Sequence, residues 1–225
     1  MNSSLIALPF AYLIGSIPSG LLIVRAVSGK DVRRIESGRT GGTNAMRAAG
    51  LWAGLATALM DIGKGALSVW LGTMFSSGTQ WIAAISGFLA VIGHNYSIFL
   101  LNKDDSGKIR LTGGAGGAVT LGASIGLWAG SWMIILPLAV FFYVLIGYAS
   151  LTTISIALSA SGLFIVRALN GKNPWAYAAF SLSALLAVLI ALRPNLERIR
   201  KGTERRVRLL ARIFKEKKES KESND

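Results

Sequence analysis

Long apolar stretches separated by short polar ones run along most of the chain. Read at the length needed to cross a hydrocarbon core of roughly 30 Å, they predict helices near 4–27, 50–74, 80–101, 114–130, 132–149, 152–169 and 174–192. The expected fold class is all-α: a polytopic membrane protein forming a bundle of about seven transmembrane helices. The fourth to sixth spans lie close together, so counts of six and eight stay open. Because apolar stretches recur far beyond the first one, residues 4–24 are not read as a cleaved signal peptide.

The polar connections orient the bundle. Connection 28–50 carries Lys30, Arg33, Arg34, Arg39 and Arg47, connection 102–112 carries Lys103, Lys108 and Arg110, and the tail after Arg193 is dense in Lys and Arg. The positive-inside rule puts all three in the cytoplasm. An odd number of spans then places the uncharged Met1 to Ser4 and the "SSGTQ" turn outside, with Lys172 a lone external exception. Two regions result, a membrane domain 1–202 and a basic cytoplasmic tail 203–225. "RVRLLARIF" in that tail reads either as solvated chain or as an amphipathic helix on anionic headgroups.

Composition narrows the chemistry. Of the 225 residues 52% are hydrophobic, none is cysteine and one is histidine, which excludes disulfides and thiolate catalysis and speaks against zinc. Asp61 and Lys64 in "DIGKG" share a helix face, where either alone would cost about 2.5–3.5 kcal/mol in hydrocarbon. They are expected to pair, as part of a site or as a brace. "GSIPSG" (15–20) reads as a broken helix or a simple kink. "TGGAGGAVTLG" (112–122) reads as an anion-binding helix N-terminus or as close small-residue packing, and it lacks the Lys-Ser/Thr of a Walker loop.

By the same topology "ESGRTGGTNAMR", "GHNYS", the glycine loop, "YASLTT" and "RPNLERIRKGTE" meet at the cytoplasmic face. Arg39, Arg47, Lys64 and two glycine-rich turns suit phosphate. No Ser-His-Asp order and no paired loop carboxylates support a hydrolytic triad or a glycosidase. The residues therefore point to a phosphate-bearing substrate whose lipid chain lies between helices.

"GSIPSG", "SGRTGGTNAMR" (Ser37 to Arg47), "DIGKG", Gly93-His94, "GGAGGAVT", "YASLTT" and "NLERIRKGTE" resemble, in order and nearly end to end, the bacterial acyl-phosphate:glycerol-3-phosphate acyltransferases. The resemblance implies a seven-helix membrane bundle with its site at the cytoplasmic face of the bacterial inner membrane. It implies acyl phosphate as donor, glycerol-3-phosphate as acceptor and lysophosphatidic acid plus phosphate as products. Membrane lipids are the expected surroundings, with no cofactor, metal or nucleic acid.

On this reading Ser37, Arg47 and His94 are the catalytic candidates. Arg47, Asn44 and the Gly113, Gly114 and Gly116 amides would hold phosphates. Ser37 would orient the hydroxyl or the acyl carbonyl, and His94 would orient or accept a proton. Arg39, Gly41, Thr43, Lys64, Ser150 and Asn195 would complete substrate binding.

The chain departs from the family pattern. Arg39 and Thr40 stand for Asn-Pro, Gly42 for Ala, Ala115 for the Lys of the glycine loop and Leu192 for a His three residues before Asn195. An insertion-like "NKDDSGKIRL" separates Gly93-His94 from the glycine loop, and a proline usual shortly after His94 is missing. Arg39, Lys108 or Arg110 would replace the lost Lys, Arg39 being expected to face Ala115. Two other readings remain, a non-catalytic or substrate-altered paralogue and a small-anion transporter, although no inverted repeat is visible.

Overall fold

The computed structural model describes residues 6–76, 79–103, 107 and 109–207. Met1 to Leu5, part of the "SSGTQ" turn, Lys108 and most of the expected tail helix lie outside those residues. The helices are α1 (Ala7–Ser16), α2 (Ser19–Ser28), α3 (Gly42–Ala49), α4 (Leu51–Phe75), α5 (Gln80–Asn95), α6 (Gly117–Leu127), α7 (Trp132–Ile146), α8 (Ala149–Leu169) and α9 (Trp175–Arg200). A two-stranded antiparallel hairpin, β1 (Ser97–Lys103) and β2 (Ile109–Thr112), joins α5 to the glycine loop, with Asn102 opposite Arg110.

The bundle is apolar outside and small or polar inside. Trp52, Leu59, Leu145 and Leu169 are among its exposed large side chains, whereas Thr57, Ser68, Ser124 and Ser161 are buried. Those hydroxyls satisfy themselves within their helices: Thr57 donates to Ala53 O at 2.7 Å and Ser161 to Ala157 O at 2.9 Å. Among the described residues four segments are long and apolar enough to cross a membrane by themselves: Ala7–Ser28, Ala129–Ile146, Ala149–Leu169 and Trp175–Arg200. α4 is longer than most of these, but Asp61 and Lys64 lie within it.

Of the two readings of "GSIPSG" the break holds: α1 stops at Ser16 and α2 restarts after Pro18. Three span boundaries change. The third span ends at Asn95, because the "SIFLL" run leaves the helix and becomes β1. The fourth, expected over 114–130, is an 11-residue helix about 16 Å long, roughly half a hydrocarbon core, preceded by a non-helical glycine loop. The last helix conversely runs to Arg200, eight residues past the expected 192, with Pro194 inside it.

The short α6 reaches the bundle centre because glycines let it press on α4. A Cβ at Gly122 would lie 1.9 Å from Ile62 O, a backbone atom that cannot turn aside. Gly122→Leu should therefore destabilise the fold by about 1–3 kcal/mol or more. The readout is the thermal midpoint of detergent-solubilised protein, and an unchanged midpoint would contradict this crossing.

Candidate active site

The loop before α3 is built around two side chains. Asp31 accepts from Arg33 N at 3.0 Å and pairs with its guanidinium at 2.6 Å, and this bond holds the carboxyl at a pKa of about 2. Asn44 Nδ2 donates to the carbonyls of Val32 (3.0 Å), Ile35 (2.8 Å) and Arg39 (2.8 Å). Asn44 is thus the clip that folds the loop, and its donors are not open to a phosphate as expected from sequence.

This loop roofs a cavity of about 620 Å³ bounded by α3, α4, the start of α6, the start of α8 and the end of α9. Ser37, Arg39, Gly41, Thr43, Asn44, Arg47, His94, Gly116, Ser150 and Asn195 all line it, so residues far apart in sequence converge. Ser150 contributes a buried hydroxyl with no hydrogen-bond partner among the described residues. Gly116 at φ +88° caps α6, turning the first-turn N–H groups of that helix, which have no intrahelical partner, toward the space.

Lys64, Gly113 and Gly114 are placed differently from expectation. None of them lines the cavity. Gly113 O accepts from Thr40 N at 3.4 Å and Gly114 N donates to His94 O at 2.8 Å, so this part of the loop ties segments together. The Lys64 ammonium sits behind the wall, 2.9 Å from Asp61 Oδ1, 2.9 Å from His94 Nδ1 and 2.8 Å from Ile17 O. Two hydrogen bonds and the ion pair hold it behind the wall, away from where a phosphate would lie.

Sequence reasoning missed the acidic side of the cavity. Glu204 Oε1 accepts from Asn195 Nδ2 at 2.8 Å and Oε2 from Arg198 Nε at 2.7 Å. Glu36 pairs with Arg205 at 2.5 Å. The "GTE" after α9 was the visible signal for Glu204. With Asp61 on Lys64, each of the three lining carboxylates has a cation partner. Arg39 and Arg47 have no carboxylate partner among the described residues, which leaves the cavity electropositive.

The two arginines differ in freedom. Arg39 is held by Gly114 O at 2.8 Å through Nη1 and by Ala191 O through Nη2, and burial lowers its pKa from the ordinary guanidinium value. Among the described residues Arg47 makes only a 3.5 Å bond to Arg205 O. Leu51, Leu55 and Ala58 of α4, Tyr143 of α7 and Ile156 of α8 add an apolar stretch to the lining.

A family model described as glycerol-3-phosphate acyltransferase matches residues 5–202. The chain belongs to the glycerol-3-phosphate acyltransferase family. Relatives bearing that name include one from Synechococcus sp. (strain CC9902), 36% identical over 91% of this chain and 96% of its own length. Another, from Geobacter sulfurreducens, is 37% identical over 92% of this chain and 98% of its own. The fold matches the crystal structure of PlsY (YgiH), an integral membrane glycerol 3-phosphate acyltransferase, in its glycerol 3-phosphate form. The TM-score is 0.80 with 27% identity, over 94% of this chain and 99% of that one. The lysophosphatidic acid form matches at 0.75 with 26% identity, over 91% and 95%. The protein is accordingly a membrane acyltransferase of phospholipid synthesis.

Within the family pattern, Arg39 lies where two departures meet. Its guanidinium bridges Gly114 and Ala191, the residues just before Ala115 and Leu192. A single arginine thereby occupies the ground between the lost Lys and the lost His. Arg39→Asn should reduce transfer about 10- to 100-fold, the worth of a charge-assisted contact, and Ala115→Lys should restore part of it in that background. A double-mutant cycle reads the coupling, and strict additivity would separate the two positions.

Proposed function

We propose that this protein transfers a fatty acyl group from acyl phosphate to the 1-hydroxyl of glycerol-3-phosphate, releasing lysophosphatidic acid and phosphate. The observation that carries this reading is the cavity itself: paired carboxylates, two arginines without carboxylate partners among the described residues, and apolar side chains in the same lining. The apolar lining suits an acyl chain and the arginines suit phosphates. Glycerol 3-phosphate and lysophosphatidic acid are the ligands named for the PlsY structures that share the fold.

The chemistry asks little of acid catalysis. The acceptor hydroxyl oxygen attacks the acyl carbonyl carbon and the bond from that carbon to the phosphate oxygen breaks. Phosphate leaves with the electron pair, and the hydroxyl proton passes to an acceptor near the site. Since the leaving group is already a stable anion, positioning and charge stabilisation supply most of the rate. Arg47, with loose tethering, is the residue assigned to follow the phosphate through the reaction. Ser37, exposed at the cavity mouth, is assigned to orient the hydroxyl or the acyl carbonyl.

The reading includes seven crossings, with α6 and its glycine loop making up the fourth. It also puts the N-terminus outside and the site on the cytoplasmic face of the inner membrane, as the basic connections indicate.

Purified protein given palmitoyl phosphate and labelled glycerol-3-phosphate should form lysophosphatidic acid, and Arg47→Ala should lower kcat/KM about 10- to 100-fold. Wild-type kinetics in that variant would remove Arg47 from the clamp. Absence of product from the native chain would favour a non-catalytic paralogue, the reading that Ala115 and Leu192 support.

Topology has its own check, because the native chain lacks cysteine. A cysteine at Ser37 should be shielded from an impermeant thiol reagent in intact cells, and labelling from outside would invert the orientation.

A further inference from the structure

We infer that Lys64 is a positioning residue that fixes His94 as a neutral imidazole protonated on Nε2, so that His94 serves the site as a fixed donor and not as a base. The role in transfer rests on the function proposed above; the tautomer does not. Lys64, Asp61 and His94 are buried side chains, 6%, 1% and 5% exposed; Asp61 and His94 line the cavity and Lys64 lies behind its wall. Lys64 Nζ pairs with the Asp61 carboxylate at 2.9 Å, donates to Ile17 O at 2.8 Å and lies 2.9 Å from His94 Nδ1.

An ammonium has no lone pair, so the His94 Nδ1 that faces it at 2.9 Å must itself be the acceptor. The ring proton is then on Nε2. An imidazolium would set a second N–H donor against the ammonium and break that bond. The charged groups facing the ring are Lys64 and Asp61 from α4 and Arg39 from the opening loop.

The ring cannot swing away to change roles. Its Nε2 edge lies against the glycine loop, where a Cβ on Gly114 would fall 1.9 Å from Nε2. His94 O is also bonded by Gly114 N at 2.8 Å. Lys64 thus acts through His94 from behind the cavity wall, in the manner of a carboxylate or carbonyl that fixes the tautomer of a functional histidine. With Nδ1 committed and Nε2 carrying its proton, the hydroxyl proton is left to the phosphate oxygens.

His94 is the only histidine of the chain, so its ring gives an unambiguous signal in 15N NMR of full-length, imidazole-labelled protein in lipid nanodiscs. The expected spectrum between about pH 6 and 8 shows an unprotonated Nδ1 and a protonated Nε2. Lys64→Met should convert it to a tautomer mixture. The reversed tautomer, or an imidazolium at neutral pH, would overturn the proposal whether or not transfer is observed.

Kinetics test the role separately. Gln places an amide N–H near the Nε2 position, so His94→Gln should lose less than about tenfold in kcat, against about 100-fold or more for His94→Leu. Equal losses of about 100- to 10,000-fold in both variants would mean a base had been removed. A native chain with no transfer at all would count against the proposed function and leave the NMR result standing.

Discussion

The Lys64 ammonium ties together three segments at one buried point, the break in the first span, α4 and α5. Ile17 offers its carbonyl only because the first span is broken at Pro18, Asp61 faces it from one turn away on α4, and His94 comes from the last turn of α5. Asp61 and His94 are buried, and in an apolar bundle a lone ammonium or carboxylate costs several kcal/mol. Together they neutralise one another and fix where the broken helix, α4 and α5 cross. Ser97 adds a bond to the neighbouring Ser16 O at 2.5 Å, so the break is satisfied from two sides. Part of the cavity wall stands on this node.

Within the cavity the electrostatics follow from pairing. The cavity is lined by several carboxylates, yet it suits an anion because those carboxylates are each matched to a cation while Arg39 and Arg47 are not. Arg39 is rigid, tethered between the glycine loop and α9. It reaches Ala191 O beside Pro194, a proline that cannot complete the helix ladder and so loosens that turn. Arg47 keeps its guanidinium adaptable. A fixed charge and a movable one are what a substrate that changes shape during transfer requires.

The chain after α9 closes the remaining side. Glu204 locks onto Asn195 and Arg198, Arg205 onto Glu36, Val207 N donates to Gly147 O at 2.6 Å, and the Arg206 guanidinium lies 5.1 Å over the Tyr148 ring. Segments from both ends of the polypeptide therefore meet over one cavity. Asn195, expected to touch the acceptor, has its donor on Glu204 instead, while its Oδ1 remains without a partner among the described residues.

The helical membrane bundle, the break at Pro18, the Asp61–Lys64 pair and the convergence of the opening loop with "GGAGGAVT" and "NLERIR" were all legible in the sequence. Hydropathy is additive along a chain, and an intramembrane charge must find a partner wherever it sits. The half-length α6 was not legible, because an apolar run has the same composition whether helix or non-helical glycine backbone carries it. Nor was the hairpin, since "SIFLL" satisfies helix and strand alike. The site roles were decided only in three dimensions. Lys64 and Asn44 have the chemistry of phosphate ligands and are instead engaged by carbonyls, a carboxylate and an imidazole. A residue's donors are fixed by its type, but which acceptors reach them depends on how segments separated by tens of residues cross, and that geometry exists only in the folded bundle.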